Sequence, residues 1–241
     1  MNMMMIFAED FISGSDNLIK ICDDRRLTHL HKVLKVKVGK VCQAGLLNGK
    51  IGTAEVLEIG ENEIIMRTQL DNEAPPKLPL TLVIAMQRPN TVKKIIHSAI
   101  SVGVKKIIFI GCFKVEKSYW DSSVLQSESL AYEQLLALEQ CVDTREIEIE
   151  FCRYFKDFLS NILPRLAENS QLLLAHPDKE ENFSKFIDEE RESVLFMGPE
   201  GGFTDYEVSM LKEAGAKQLS LGRRILRTEF AFTALAGRFL R

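Results

Sequence analysis

Leu195-Phe196-Met197-Gly198-Pro199-Glu200-Gly201-Gly202-Phe203 is the stretch on which the reading of this chain turns. The apolar run 194–197 stops abruptly at the glycines, and Thr204 with Glu207 then carries the Thr-x-x-Glu spacing of a capping box. Buried strand, glycine-rich turn, capped helix: that order puts bare backbone at the carboxyl end of a strand, where α/β proteins bind ligands. The spacing is neither Gly-x-Gly-x-x-Gly nor a P-loop, and no Gly-Lys-Ser/Thr is present to hold a triphosphate. The expected ligand is something other than an ordinary dinucleotide or ATP.

A second turn of the same kind follows. The helix over 205–214 should end at Gly215, a natural residue for a helix terminus. Lys217-Gln218-Leu219-Ser220-Leu221 is strand-like, and Gly222-Arg223-Arg224-Ile225-Leu226-Arg227-Thr228-Glu229 leads into a last helix that Thr228 is placed to cap. Two strand ends, each with a glycine turn and a capped helix, can converge on one ligand. The arginines at 223, 224 and 227 read either as a solvated cluster pairing nearby acids or as part of that site. Their place beside the second turn favours the site.

Upstream, the chain changes grammar once. Over 33–68, short β-rich runs alternate with glycines, and Asn48-Gly49 between apolar residues is a hairpin signal. A small antiparallel barrel or sheet is expected there. Asn72-Glu73-Ala74-Pro75-Pro76-Lys77-Leu78-Pro79 then makes a stiff linker. Beyond it comes a βαβ pattern. The strand 80–85 is followed by a helix with Val92, Ile95, Ile96, Ala99 and Ile100 on one face, and then by a strand over 107–110. A helix around 125–141, a strand over 147–151 and a helix over 155–166 that Pro164 should end or kink come next. Strands at 172–174 and 194–197 flank an expected short helix. The alternation predicts an α/β domain with a mostly parallel sheet covered on both faces.

Composition narrows the function classes. With 241 residues, 46% hydrophobic and 27% charged, the chain is an ordinary soluble globular protein of one or two domains. Its five cysteines are scattered and lack Cys-x-x-Cys spacing, which points to reduced thiols in a cytoplasmic protein. His29, His31, His97 and His176 have no metal-ligand spacing, so no metal is expected. The apolar residues 1–7 lack a basic flank, and no run approaches membrane-spanning length, so neither a signal peptide nor a membrane span is expected. Net charge is −3, but Arg25, Arg26, Lys32, Lys35, Lys37 and Lys40 lie in one acid-free stretch. That stretch reads as a phosphate-docking patch or as a solvated hairpin.

Taken together, the motifs resemble the RsmE family, the 16S ribosomal RNA (uracil-N3) methyltransferases of the SPOUT superfamily. The resemblance rests on Gly198-Pro199-Glu200-Gly201-Gly202-Phe203-Thr204, on Leu221-Gly222 and on Ile225-Leu226-Arg227-Thr228-Glu229. It extends to Arg26-Leu27-Thr28-His29-Leu30 with Val33-Leu34-Lys35, to Glu116-Lys117-Ser118-Tyr119-Trp120, and to Glu139-Gln140 with Asp143-Thr144. Two positions depart from the family pattern. Lys35 stands where arginine is usual, keeping the charge but losing the planar fork, and Phe230 replaces a small polar residue.

The resemblance implies a PUA-like RNA-binding barrel over 1–72 and, over 78–241, a SPOUT-type α/β methyltransferase domain with a C-terminal trefoil knot. It also implies a cytoplasmic homodimer acting on 16S ribosomal RNA within the small subunit. S-Adenosylmethionine is then the cofactor. Its expected site comprises Leu174, His176, Met197, Gly198, Pro199, Glu200, Gly201 and Gly202 from the first half, with Leu221, Gly222, Arg224, Ile225, Leu226 and Thr228 from the second. Arg25, Arg26, Lys32, Lys35 and Arg88 are the expected RNA contacts.

The chemistry assigns the remaining roles. Uracil N3 is a poor nucleophile until its proton leaves, so a cation near the uracil oxygens stabilises the anion. Arg227 is the first candidate, with Arg224 behind it. Glu200 or Glu229 either accepts the proton or orients an arginine. Methylation of another RNA atom and a non-catalytic ribosome-assembly factor that binds RNA are the alternatives.

Overall fold

The computed structural model describes residues 2–177, 188 and 191–240. Its contacts divide the chain into one unit of Met1–Pro75 with Leu135–Glu146 and a second of Pro76–Gln134 with Ile147–Arg241.

The first unit is built on a five-stranded sheet. Its strands are β1 (Met4–Ile6), β2 (Leu18–Ile21), β3 (Val41–Leu46), β4 (Ile51–Ile59) and β5 (Ile64–Asn72), in the order β1-β3-β4-β5-β2. Every pairing is antiparallel except β1 with β3. In β5, Ile64, Met66 and Thr68 turn inward while Arg67 and Gln69 face solvent, the period-two pattern of a half-buried strand. Asn48, at φ 57°, turns the chain from β3 into β4, as its Asn-Gly sequence predicts. The apolar residues near the start of the chain form β1 and are fully buried, so their hydrophobicity serves this core.

A short helix, α1 (Asp24–Thr28), starts where the Asp23 side chain accepts a hydrogen bond from the Arg26 N–H at 3.0 Å. The segment 135–146 completes the unit. The Glu139 carbonyl accepts from the Met3 N–H at 3.0 Å, and its carboxylate takes both guanidinium nitrogens of Arg25 at 2.6 and 2.9 Å.

In the second unit the expected βαβ alternation gives a mixed α/β fold around a parallel sheet. Strands β6 (Leu80–Ala85), β7 (Lys106–Ile110), β8 (Glu148–Cys152), β9 (Gln171–Ala175), β10 (Ser193–Met197) and β11 (Lys217–Leu219) lie in the order β11-β9-β10-β6-β7-β8, all parallel. Every residue of β6 and β10, the two central strands, is buried, which is why both read as continuous apolar runs.

Helix α2 (Pro89–Ser101) presents Val92, Ile95, Ile96, Ala99 and Ile100 to this core. Burial of each isoleucine contributes about 1.5–3 kcal/mol. Helix α3 (Ser127–Cys141) follows. The next helical segment is broken: α4 (Phe155–Asp157), a π-helical turn at Phe158–Ile162, then α5 (Leu163–Ala167). Pro164 sits in the first turn of α5, where it lacks no intrahelical partner, and the irregular turn precedes it.

Helix α6 (Asp205–Glu213) ends before Gly215, whose φ is 95°. In the last helix, α7 (Thr228–Ala236), Thr228 is the first helical residue; Arg227 occupies the cap, and no side chain accepts a hydrogen bond there. The short helix expected between β9 and β10 lies outside the described residues.

Candidate functional site

Parallel pairing fixes where the strands end. Leu219 lies opposite Ala175, and Ala175 opposite Met197, so β11, β9 and β10 finish level with one another. The two glycine turns leave from strands separated only by β9, roughly 10 Å apart at one strand spacing each. Between them lies a cavity of about 480 Å³, within the range of small-molecule sites.

The first turn contributes Met197, Gly198, Pro199, Glu200, Gly201 and Gly202 to its wall, and His176 comes from the end of β9. The second turn contributes Leu221, Gly222, Arg224, Ile225, Leu226 and Thr228. Leu174 does not reach the wall; it is fully buried in the core beneath, and Ala175 takes its place. Arg227 and Glu229 also lie off the wall.

Sequence reasoning missed Lys114, Phe203, Ser220 and Ala231, which do line the cavity. Ala231 lies one helical turn after Thr228, so periodicity carried that signal. Lys114 arrives from the loop after β7, and nothing local marks it.

Local chemistry shapes the first turn. A Cβ on Gly198 would sit 2.9 Å from the Phe203 nitrogen, closer than side chains tolerate. The capping box forms as expected: the Glu207 carboxylate accepts from the Thr204 N–H at 2.8 Å, and the Thr204 hydroxyl oxygen accepts from the Glu207 N–H at 3.3 Å. Glu207 also accepts from the Phe113 N–H at 2.8 Å, tying the loop after β7 to this turn. The Lys114 ammonium donates to the Gly201 carbonyl at 2.9 Å. Buried Gln87 donates to the carbonyls of Ala85 at 2.9 Å and Gly198 at 3.2 Å, a further anchor that the sequence did not flag. In the second turn, Gly222 has φ 90°, a conformation costly for any residue with a Cβ.

Charge is distributed unevenly around the cavity. Among the described residues Glu200 is the one carboxylate on its wall, and Arg88 Nε lies 2.9 Å from Glu200 Oε2. The Tyr119 hydroxyl at 3.2 Å and the Glu200 charge together hold the Arg88 guanidinium above its usual pKa. Glu229 at the start of α7 accepts from its own backbone N–H and from Lys94 of α2 at 3.3 Å, and these contacts hold its carboxyl below the usual range. Arg224 and Arg227 are exposed and lie in no ion pair among the described residues.

The expected RNA contacts separate into two kinds. Arg26 is buried, with its guanidinium on Asp10 at 2.5 and 2.8 Å, on Asp23, and 4.8 Å from the centre of the Phe7 ring. Asp10, Asp23 and the Met5 carbonyl take four of its five N–H groups, so this side chain holds the unit together from within rather than standing on the surface. Arg25 is committed to Glu139. Lys32 and Lys35, by contrast, are exposed and have no acid in ion-pair range among the described residues. Among those residues no group of three or more His, Cys, Asp or Glu side chains is placed to hold a metal ion. No described helix is long and apolar enough to cross a membrane.

Comparison with known proteins places this architecture. The RNA methyltransferase domain family matches residues 74–240. The ribosomal RNA small subunit methyltransferase E of Treponema pallidum is 28% identical over 237 residues, covering 97% of this chain and 88% of that protein. The ribosomal RNA small subunit methyltransferase E 1 of Borreliella burgdorferi is 27% identical over 235 residues, covering 97% and 95%. The crystal structure of a ribosomal RNA small subunit methyltransferase E from Neisseria gonorrhoeae bound to S-adenosyl methionine shares the fold, with a TM-score of 0.72 at 20% identity over 98% of this chain and 96% of that one. A glycine-walled cavity on a parallel sheet, a family match over most of the chain and end-to-end relatives agree: the chain belongs to the RNA methyltransferase family and, within it, to the RsmE family.

Proposed function

We propose that this protein transfers a methyl group from S-adenosylmethionine to N3 of a uridine in the 16S ribosomal RNA of the small subunit, in the cytoplasm. One observation carries the reading: two glycine turns from level strand ends wall a single cavity of about 480 Å³. The residues present suit the cofactor. Met197, Leu219, Leu221 and Leu226 offer apolar surface for an adenine, and the glycines let backbone approach a ribose. When bound, the cofactor supplies a methyl group on a cationic sulfur, already activated for transfer.

The chain's own groups do the rest. Arg224, on the wall, and Arg227, beside it, stabilise the uracil anion as the N3 proton leaves. Glu200, the carboxylate of the wall, takes that proton. Glu229, off the wall at the start of α7, instead pairs with Lys94 of α2. In this reading residues 1–72 form a PUA-like RNA-docking domain in which Lys32 and Lys35 meet phosphate, and residues 78–241 form the SPOUT domain.

A trefoil knot in the SPOUT domain is supported by the family membership, with α7 packed against α2 and paired to it through Lys94 and Glu229. A homodimer is supported by Ile225 and Phe230, large apolar side chains that are 82% and 61% exposed beside the second turn. The test is nucleoside mass mapping of small-subunit RNA incubated with the protein and the cofactor. The reading expects 3-methyluridine. A methyl group on another atom replaces the substrate assignment, and no binding of cofactor leaves only an RNA-binding factor.

A further inference from the structure

The carboxyl ends of β7 and β8 hold a second cavity, of about 800 Å³, that the methyl-transfer reading leaves unused. It adjoins the first along the loop after β7. Lys114 faces the glycine-walled cavity while Phe113 and Val115 face this one, and Glu207 binds that loop to the first turn.

Aromatic side chains dominate the wall: Trp120, Phe113, Tyr154 and Tyr206. Phe113 is 84% exposed, Tyr154 64% and Tyr206 59%. Large rings left this open on a protein surface are unusual and mark a contact site. Lys117, Arg153 and Lys156 share the wall, and none lies in an ion pair among the described residues. The single acid of the wall among the described residues, Glu207, has its oxygens committed to the N–H groups of Phe113 and Thr204 and to the Thr204 hydroxyl. The Cys112 thiol is pushed well up by burial and by Glu207, so it stays neutral. The cavity thus offers open ring faces and three cations outside any ion pair among the described residues, against one carboxylate whose oxygens are already hydrogen-bonded.

Exposed rings beside unpaired cations are the chemistry that holds an unstacked nucleotide, base on ring and phosphate on ammonium or guanidinium. Resting on the methyltransferase reading, we infer that this second cavity binds a nucleotide of the substrate RNA away from the one being methylated. It holds the strand open and sets its register over the glycine-walled cavity. A protein partner or a second copy would also cover rings, but neither calls for three cations outside any ion pair on the same wall.

Trp120 is the only tryptophan of the chain, so its fluorescence reports this wall directly. Titration with single-stranded octauridylate should quench it, and an abasic octamer of equal charge should not. Tyr154→Ala should raise the Kd for octauridylate about tenfold, the loss of one base stack. Arg153→Glu with Lys156→Glu should reduce the salt dependence of binding by about one unit in slope. S-Adenosylmethionine affinity should stay within about twofold in every variant. Unquenched fluorescence with unchanged Kd in a wild-type protein that still methylates RNA overturns this inference alone. So does a change in self-association with RNA affinity kept. A wild-type protein that binds neither cofactor nor RNA overturns the methyltransferase reading as well.

Discussion

Arg88 Nε and Glu200 Oε2 lie 2.9 Å apart, joining the residue that caps α2 to a carboxylate on the cavity wall. In the sequence alone the two are independent contributors, one to RNA contact and one to proton transfer. Their pairing makes them a unit, and Tyr119 extends it through its hydroxyl. Glu200→Gln is expected to lower kcat about a hundredfold, the scale of a lost general base. Arg88→Ala is expected to cost about tenfold by leaving the carboxylate unoriented. The double variant should be no slower than Glu200→Gln alone. Steady-state kinetics on the three variants checks this, and multiplicative losses would show that the residues act separately.

The basic stretch near the amino terminus splits by burial. Asp10→Asn strips the buried Arg26 guanidinium of its carboxylate partner, leaving Asp23 as its remaining acid. The expected loss of stability is about 2 kcal/mol, below the 3–5 kcal/mol typical when a buried charge is fully stranded. Lys32→Glu with Lys35→Glu should leave stability within about 0.5 kcal/mol and weaken RNA binding, more at low salt than at high. Urea unfolding and RNA titration at two salt concentrations separate the two groups.

What was legible in the sequence was mostly local. The capping box at Thr204 and Glu207 needs only residues three apart, and the Asn48-Gly49 turn needs only two, so both could be read and both form. The buried strands β6 and β10 announce themselves as largely apolar runs because a covered parallel sheet buries both faces of its central strands. The glycine turns, read the same local way, supply a little over half of the cavity wall.

Long-range partners left no local trace. Gln87 reaches Gly198 and Lys114 reaches Gly201 across more than eighty residues. Arg26 looks like any surface arginine until Asp10 and the Met5 carbonyl are folded around it. Strands β1 and β2 are too short for a period, and β1 pairs with β3 from residues 41–46. The return of 135–146 to the first unit rests on Glu139 meeting Arg25 and on Thr144 donating to the Gly49 carbonyl. No pattern within that segment foretells either contact.

Acid should loosen the second unit in a defined window. Burial pushes the Glu133 carboxyl up, but hydrogen bonds from Lys93 and from His97 outweigh it and hold the pKa below the usual range. A carboxyl with a depressed folded pKa stabilises the fold fully above its unfolded value, near about 4.3, and loses that contribution as pH falls through the folded value. Glu133→Gln should therefore be less stable than wild type at pH 7, with the gap closing below about pH 4. Urea titrations across that range test the sign. A gap that widens on acidification contradicts it.

The central claim is that both glycine turns hold one methyl donor, and calorimetric titration with S-adenosylmethionine tests it most directly. At Gly201 a Cβ meets only the flexible Lys114 side chain, at 3.2 Å, and at Gly222 it meets nothing within 4 Å, although φ 90° strains any larger residue. Gly201→Val and Gly222→Val, each confirmed folded by circular dichroism, should separately weaken binding at least tenfold, about 1.4 kcal/mol or more. Unchanged affinity in either folded variant would contradict a site shared by the two turns.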